Sequence, residues 1–361
     1  TIASISYNLY LGLCKHPKVN VYVACLGEYE DSGYQFDNIF KLGQEKKGLF
    51  SKLRSWIFKL RKIKKENNIH ISIATLLGCI YWNVLSGYGE KKIGVFHTRL
   101  SQTRYQGRLY YLLNCLADMF LVSRLNKMIA VNKSALLDLK HRHRNAKCIE
   151  LVYNIHNFDK IQHLASMDIE DETEKKIFDK HVILYVGNLY CRIKGIDRLL
   201  KAFAKVKENH INYKLAIIGE DIEDSLFMLK DMTNRLGVSN SVFFLGRKSN
   251  PYQYMKRAEM LVSASRDEGL PGVIIESLSL GTKVVATNSS MGVWEIMQCD
   301  NQYDAHLDKL HETNFGFITP NLLNDDDATV CFLAQAINSC IEKKYDIESN
   351  FNKQRFSEDL I

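Results

Sequence analysis

The sequence has few of the features that mark several large classes of protein. Only 4 of its 361 residues are proline and 46% are apolar, so a disordered or proline-rich chain is excluded, and the length allows two folded domains. The nine cysteines form no Cys-x-x-Cys pair and no short cysteine–histidine cluster. This spacing argues against a zinc site and a redox role, and we expect reduced thiols in a cytoplasmic setting.

The chain also lacks a long uninterrupted apolar segment. Its most apolar stretch, residues 110–123, contains Asn114 and Asp118 and is shorter than a membrane-spanning helix requires. No cleavable signal is recognised at the start. We therefore expect a soluble, cytoplasmic protein, with a peripheral position at the inner face of the cell membrane as the further expectation.

Charge is divided unevenly along the chain, whose net charge is +7. Residues 1–155 hold 24 basic and 10 acidic side chains, a net of +14, whereas the remainder holds 24 and 31, a net of −7. A basic half suggests contact with phosphate-bearing or anionic surfaces, either lipid or nucleic acid. The HRHR cluster at residues 141–144 has no interleaved aromatic residues, so we do not expect nucleic acid as a partner.

The most informative stretch is residues 261–287, LVSASRDEGLPGVIIESLSLGTKVVAT. Its pattern predicts a strand, a turn at residues 268–271, an amphipathic helix carrying Glu276, and a buried strand. In open parallel sheets, ligands bind beyond the carboxyl ends of the strands, where this turn would lie. Glu268 and Glu276 can therefore face one cleft near the helix N-terminus, where carboxylates accept hydrogen bonds from sugar hydroxyls.

An earlier segment predicts a site for pyrophosphate. Residues 181–187 (HVILYVG) predict a buried strand, which is followed by NLYCRIKG and a helix over residues 196–208. Lys194 stands directly before that helix. The unpaired helix N–H groups and a full positive charge then act together on a diphosphate.

Residues 261–287, continued to Gly292 and Glu295, resemble the donor-binding signature of the family-four retaining glycosyltransferases. That family has the GT-B fold, an α/β architecture of two doubly wound Rossmann-like domains facing a central cleft. The resemblance implies an acceptor-side domain at residues 1–155 and a nucleotide-sugar-binding domain at residues 156–361. It also implies that Glu268 lies by the donor sugar, as a catalytic residue, and that Glu276 binds the nucleotide ribose.

The resemblance also implies how the donor is held. The family has an arginine directly after the strand glycine, where this chain has Asn188, and Arg192 is the candidate to replace it. The candidate donor-binding residues are Asn188, Arg192, Lys194, Gly195, Gly219, Arg247, Glu268, Gly269, Leu270, Pro271 and Glu276.

The basic first half carries the acceptor-side candidates. A strand predicted over residues 92–96 ends at His97, and the resemblance implies a catalytic role for this histidine beside the sugar and the acceptor; the alternative is a structural histidine. Arg99 and Arg104 are candidates for an acceptor phosphate, or members of a solvated basic loop. Trp56 lies on the apolar stripe of a helix predicted over residues 49–65. That helix has seven cations on its other faces. It is either an ordinary crossover helix or a helix that contacts an anionic membrane, where each cation would contribute about 1 kcal/mol to binding.

The start of the chain differs from a typical doubly wound domain. A helix is predicted over residues 1–13 and a strand over residues 19–26, whereas such a domain begins with a strand and a glycine turn. We therefore expect that the first strand and its turn are missing from this sequence.

The resemblance, together with these patterns, implies a retaining glycosyltransferase of the hexosyltransferase type. It would move a sugar from a nucleotide-sugar to a lipid-linked or cell-surface glycan acceptor in polysaccharide biosynthesis, with no cofactor and no metal. The acidic run at residues 325–327 is expected to stabilise a helix N-terminus instead of binding a cation. The alternatives are a nucleotide-sugar epimerase on the same fold and a non-catalytic sugar-nucleotide-binding subunit.

Overall fold

The computed structural model describes residues 2–26, 35–43, 49–97, 99–100, 108–144, 148–222 and 224–357, without the side chains of residues 2–4 and 49–53. The chain divides into two compact units, Thr1–His156 and Asn157–Ser357. Within the described ranges, no helix has the length and apolar character that crossing a bilayer requires. All nine cysteines are free thiols.

The first unit is built around parallel strands. Strands β3–β6 form one sheet in the order β3-β4-β5-β6, and β1 and β2 form a separate parallel pair. The elements are α1 (Ile2–Cys14), β1 (Val23–Cys25), β2 (Ile39–Lys41), α2 (Leu49–Glu66), β3 (Ile71–Thr75), α3 (Leu77–Leu85), β4 (Lys91–Phe96), α4 (Arg108–Leu121), β5 (Lys127–Ala130), α5 (Lys133–Arg142) and β6 (Ile149–Leu151).

The predicted amphipathic helix at residues 49–65 is observed as α2, but one of its seven cations does not face solvent. Lys64 is 6% exposed, and its Nζ donates to Glu90 Oε1 at 2.7 Å and to Asn83 Oδ1 at 2.7 Å. Lys64 is therefore not available to a membrane surface, and the choice between the two roles of this helix stays a prediction. A buried ammonium needs a paired carboxylate and hydrogen-bond acceptors, and this site supplies both.

The second unit has a seven-stranded sheet in the order β12-β13-β11-β10-β7-β8-β9, parallel except for β12. Its elements are α6 (Phe158–Ala165), α7 (Glu172–Ile177), β7 (Val182–Val186), α8 (Cys191–Lys194), α9 (Ile196–Asn209), β8 (Lys214–Ile218), α10 (Ser225–Arg235), β9 (Val242–Gly246), α11 (Tyr252–Arg257), β10 (Met260–Ser263), α12 (Gly272–Ser279), β11 (Lys283–Thr287), α13 (Met291–Ile296), β12 (His311–Thr313), β13 (Gly316–Thr319), α14 (Asp326–Glu342) and α15 (Ile347–Asn350).

Burial explains why this sheet forms. The central strands are continuous apolar runs covered by helices, as parallel strands require. Ile183 in β7, Leu215 in β8 and Val285 in β11 are fully buried, and Leu199 of α9 and Leu333 of α14 belong to the same apolar cluster. The rigid sheet positions the loops that follow its strands.

Candidate functional site

The strand order of the second unit reverses between β7 and β10. From β7 the chain proceeds outward through β8 to β9, and then returns to place β10 on the other side of β7. In open parallel sheets, the crevice beyond the carboxyl ends of the strands at such a reversal is the usual ligand site. The loops after β7 and β10 are the segments that carry Lys194 and Glu268.

The structure brings these two predicted side chains together. Lys194 Nζ donates to Glu268 Oε1 at 2.7 Å, and Ser265 Oγ donates to the same oxygen at 2.8 Å. The lysine side chain is 31% exposed and the glutamate side chain 15% exposed. The pair is therefore ordered, yet a ligand can still reach the ammonium group.

Two predicted glycines allow the strand ends to approach closely. Gly195 has a φ of +62°, and a Cβ there would lie 2.1 Å from the carbonyl oxygen of Ala264. A Cβ on Gly219 would lie 1.8 Å from the carbonyl oxygen of Gly187. Both contacts are shorter than any side chain tolerates, so these positions require glycine for backbone packing around the crevice.

The turn at residues 269–271 is held in place by the segment after β11. Ser290 Oγ donates to the Gly269 carbonyl at 3.0 Å, and Gly292 packs so closely that a Cβ there would be 2.1 Å from the same oxygen. Leu270 and Pro271 are buried, and Pro271 directly precedes α12. Their side chains fix the turn that presents Glu268.

Glu276 lies on α12 in a strongly desolvated position. Burial raises the pKa of its carboxyl to about 7, although a hydrogen bond with Tyr252 opposes the shift. The group therefore changes charge near neutral pH. Its convergence with Lys194 and Glu268 on one ligand stays a prediction.

The remaining donor-side candidates lie on exposed segments. The Asn188 side chain is exposed, and its backbone carbonyl accepts a hydrogen bond from the Tyr185 hydroxyl at 2.9 Å. Arg192 is exposed on α8. Arg247, directly after β9, forms a 3.7 Å ion pair with Glu220, and both side chains are more than half exposed. Such a pair contributes little to stability, so Arg247 is available to a ligand.

Sequence reasoning missed Arg266, which fixes the loop after β10. Its Nη2 donates to Asp197 Oδ2 at 2.9 Å and to Asp326 Oδ2 at 2.7 Å, and its Nη1 donates to the Cys191 carbonyl at 2.7 Å. This arginine thus ties the loop to α8, α9 and the start of α14. The only available signal was a basic residue at a strand end, because its partners are distant in sequence.

The acidic run at residues 325–327 has structural partners. Asp325 caps α14 by accepting from the Ala328 backbone N–H at 2.9 Å, as the sequence led us to expect. Asp326 instead pairs with Arg198 and Arg266. In the described part of the chain, no group of three or more histidine, cysteine, aspartate or glutamate side chains is arranged to hold a metal ion.

In the first unit, His97 directly follows β4. Its Nε2 is buried without a hydrogen-bond partner among the described residues, and burial lowers the pKa of the imidazole to about 4. The ring is therefore neutral at pH 7. Its backbone carbonyl accepts from Asn132 Nδ2 at 3.3 Å. Arg99 is exposed, and Arg104 lies outside the described residues.

Trp56 is engaged within the first unit. Its indole N–H donates to the Gly43 carbonyl at 3.3 Å, and its ring packs edge-on against Trp82 with centroids 6.1 Å apart. A role for Trp56 on the acceptor or membrane side stays a prediction.

Comparison with known proteins identifies the segment that contains the donor-side candidates. Residues 167–302 match the family described as glycosyl transferases group 1. This segment is similar to the glycosyl transferases group 1 family. It contains both loops at the β7–β10 reversal, and the match supports the predicted resemblance to group 1 glycosyltransferases. The retaining, family-four part of that resemblance stays a prediction.

Two relatives of this chain are named as glycosyltransferases. An uncharacterized glycosyltransferase of Methanocaldococcus jannaschii is 30% identical over 171 residues, 47% of this chain and 41% of that protein. A Campylobacter jejuni N-acetylgalactosamine-N,N'-diacetylbacillosaminyl-diphospho-undecaprenol 4-alpha-N-acetylgalactosaminyltransferase is 30% identical over 220 residues, 59% of this chain and 56% of that protein. The chain thus spans less than two thirds of the length of either relative.

Solved structures confirm the fold. Anabaena HepE in complex with UDP and glucose matches with a TM-score of 0.69 at 19% identity, over 90% of this chain and 83% of HepE. The apo form of the lipopolysaccharide outer core galactosyltransferase WaaB matches with a TM-score of 0.66 at 17% identity, over 98% of this chain and 91% of WaaB. The chain therefore has the predicted α/β GT-B fold with two Rossmann-like domains.

Proposed function

We propose that this protein is a retaining glycosyltransferase that moves a sugar from a nucleotide-sugar donor to an acceptor, a lipid-linked or cell-surface glycan intermediate. The observation that carries the proposal is the Lys194–Glu268 pair, at 2.7 Å, beside the strand reversal in the segment similar to the group 1 family. A cation for a diphosphate and a carboxylate for sugar hydroxyls are the two groups that a diphospho-sugar requires.

The donor diphosphate would bind at Lys194. Its ammonium group has three donors, so it can contact a phosphate oxygen while it retains Glu268. The N-terminus of α9 follows at Ile196 and adds the positive end of its helix dipole. Arg192 adds a second, exposed cation in the same short segment.

The sugar and ribose would bind through carboxylates. Glu268 Oε1 is occupied by Lys194 and Ser265, which orients the carboxylate and leaves Oε2 to accept from a sugar hydroxyl. In its charged form, Glu276 would accept from the ribose hydroxyls. The end of β8 at Gly219 and Arg247 after β9 would border the nucleotide.

The transfer reaction would depend more on stabilising the departing diphosphate than on a nucleophilic side chain of the enzyme. Fixed cations and helix N–H groups stabilise negative charge as it develops on the leaving group. This arrangement would serve without a metal or cofactor. His97, neutral at pH 7, would orient the sugar or the acceptor by hydrogen bonding and carry no charge.

The acceptor proposal rests on the basic first unit and on the relatives. The Campylobacter jejuni relative is named for a diphospho-undecaprenol acceptor, and another relative is the capsular polysaccharide biosynthesis glycosyltransferase CapH of Staphylococcus aureus. A lipid-linked acceptor would place the reaction at the cytoplasmic face of the cell membrane, where the exposed cations of α2 would meet anionic lipid.

A non-catalytic sugar-nucleotide-binding subunit is the second candidate, because Asn188 stands where the family has an arginine. The two candidates differ in turnover. A thermal-shift panel of UDP-, GDP- and ADP-sugars tests donor binding, because a ligand held by the folded state raises the melting temperature. Stabilisation by one class, with slow donor hydrolysis, supports the transferase. Stabilisation without hydrolysis or transfer supports the subunit, and no stabilisation contradicts both.

A further inference from the structure

Helix α4 (Arg108–Leu121) turns its apolar residues outward. Seven large apolar side chains of this helix are between 46% and 72% exposed: Leu109, Tyr110, Leu112, Leu113, Leu116, Met119 and Phe120. Most of them recur at helical spacing and so form one continuous face. An exposed apolar face of this extent is the mark of an interaction surface.

The polar residues of the same helix face inward and fix its orientation. Asn114 is 6% exposed and Asp118 is 4% exposed. Asp118 pairs with Arg142 and with His143, whose Nε2 lies 3.0 Å from Asp118 Oδ2. Because a buried carboxylate with two basic partners resists rotation of the helix, the outward direction of the apolar face is built into the unit.

The charges around this apolar face favour lipid over protein as the partner. Arg108 and Arg124 are exposed at its two ends, and the one acidic residue of α4 is the buried Asp118. Helices α2 and α4 both pack against α3. The exposed part of α2 contributes Phe58 and five further cations, namely Arg54, Lys59, Arg61, Lys62 and Lys65. An apolar face with an exposed cation at each end, on a unit whose helix α2 also exposes cations, matches an anionic bilayer surface.

We propose that α4 lies in the plane of an anionic lipid bilayer, with its leucines in the acyl boundary and the neighbouring cations at the headgroups. The helix has 14 residues and is about 21 Å long. It is therefore shorter than the hydrocarbon core of about 30 Å and lies in the interface without crossing it. This surface goes beyond the transferase proposal and does not depend on it, because lipid binding requires no sugar nucleotide.

Vesicle flotation of the full chain tests the proposal. The vesicles are phosphatidylcholine alone, or an equal mixture of phosphatidylcholine and phosphatidylglycerol, and no nucleotide is present. We expect the wild type to float with the mixed vesicles. The Leu113→Asp/Leu116→Asp double variant should lose about tenfold in partition coefficient per leucine, because each side chain leaves the acyl boundary. The matched control, Leu137→Asp/Phe227→Asp, changes side chains that are 59% and 83% exposed outside α4 and should float like the wild type.

The other outcomes overturn the proposal. It fails if the wild type does not float, or if the α4 variant floats as well as the control. It also fails if light scattering shows a wild-type dimer that the α4 variant abolishes while neither protein binds vesicles, since α4 would then be a protein interface. Thermal melting checks the fold of each variant, and Leu113→Ser/Leu116→Ser replaces the double aspartate if that variant is unstable.

Discussion

Replacing Lys194 by alanine should weaken donor binding far more than it weakens the fold. The ammonium group of Lys194 lies 2.7 Å from Glu268 and the lysine side chain is 31% exposed, so part of the ion pair's energy is screened by water. We expect the free energy of unfolding to fall by no more than about 1 kcal/mol. Ser265 still hydrogen-bonds the remaining carboxylate.

The effect on binding is larger because a phosphate contact is lost. A hydrogen bond to a charged group contributes about 1.5–3 kcal/mol, so the Kd for the preferred nucleoside diphosphate should rise roughly ten- to hundredfold. Glu268 would add to the loss, because an unneutralised carboxylate then lies close to the diphosphate.

Isothermal titration with the nucleotide chosen by the thermal-shift panel measures this change. Lys201→Ala is the matched control, since Lys201 lies on α9, is 42% exposed and has its own ion pair with Asp327 at 3.4 Å. Lys194→Arg should recover part of the affinity because it retains the charge. A folded Lys194→Ala protein that binds the nucleotide as tightly as the wild type would refute the assignment.

Three further predictions concern Glu276, Arg266 and Gly219. The pKa of the Glu276 carboxyl is raised to about 7, so between about pH 4.5 and 7 the native state holds a proton that the unfolded state has lost. The free energy of unfolding should therefore fall by up to about 3 kcal/mol as pH rises through this range, and urea melts of Glu276→Gln should lack this slope. Donor affinity should rise over the same pH range if the charged carboxylate accepts from the ribose, and Glu276→Ala should raise the donor KM more than it lowers kcat. Arg266→Ala should cost roughly 2–4 kcal/mol in thermal melts, since it leaves Asp197 without its arginine, and an unchanged melting temperature would remove its positioning role. Gly219→Ala should cost about 2 kcal/mol or more, whereas Gly78→Ala, with open space around its Cβ, should cost little in the same melts.

The sequence predicted the second unit well because its strands are short buried runs bounded by glycines. The strand predicted over residues 181–187 is observed as β7 (Val182–Val186), and the helix predicted over residues 196–208 is observed as α9 (Ile196–Asn209). The placement of Lys194 and Glu268 in loops at one sheet edge follows from one general rule, that parallel strands end at one edge of a sheet. Their ion pair is an observation of the structure.

What the sequence could not predict depends on contacts between distant residues. Arg266 meets Asp197 and Asp326, which are 69 and 60 residues away, and no local pattern reports such partners. Periodicity marks an apolar stripe on α4 but cannot tell whether it faces the core; the buried Asp118 decides that. The burial of Lys64 likewise depends on Glu90, which directly precedes β4.

Time-resolved proton NMR of the sugar released from the preferred nucleotide-sugar tests the central claim most directly. The account predicts slow hydrolysis in which the first-formed sugar has the anomeric configuration of the donor, and loss of that hydrolysis in Lys194→Ala but not in Lys201→Ala. Release of the opposite anomer, or donor binding with no turnover in the presence or absence of acceptor, would contradict it.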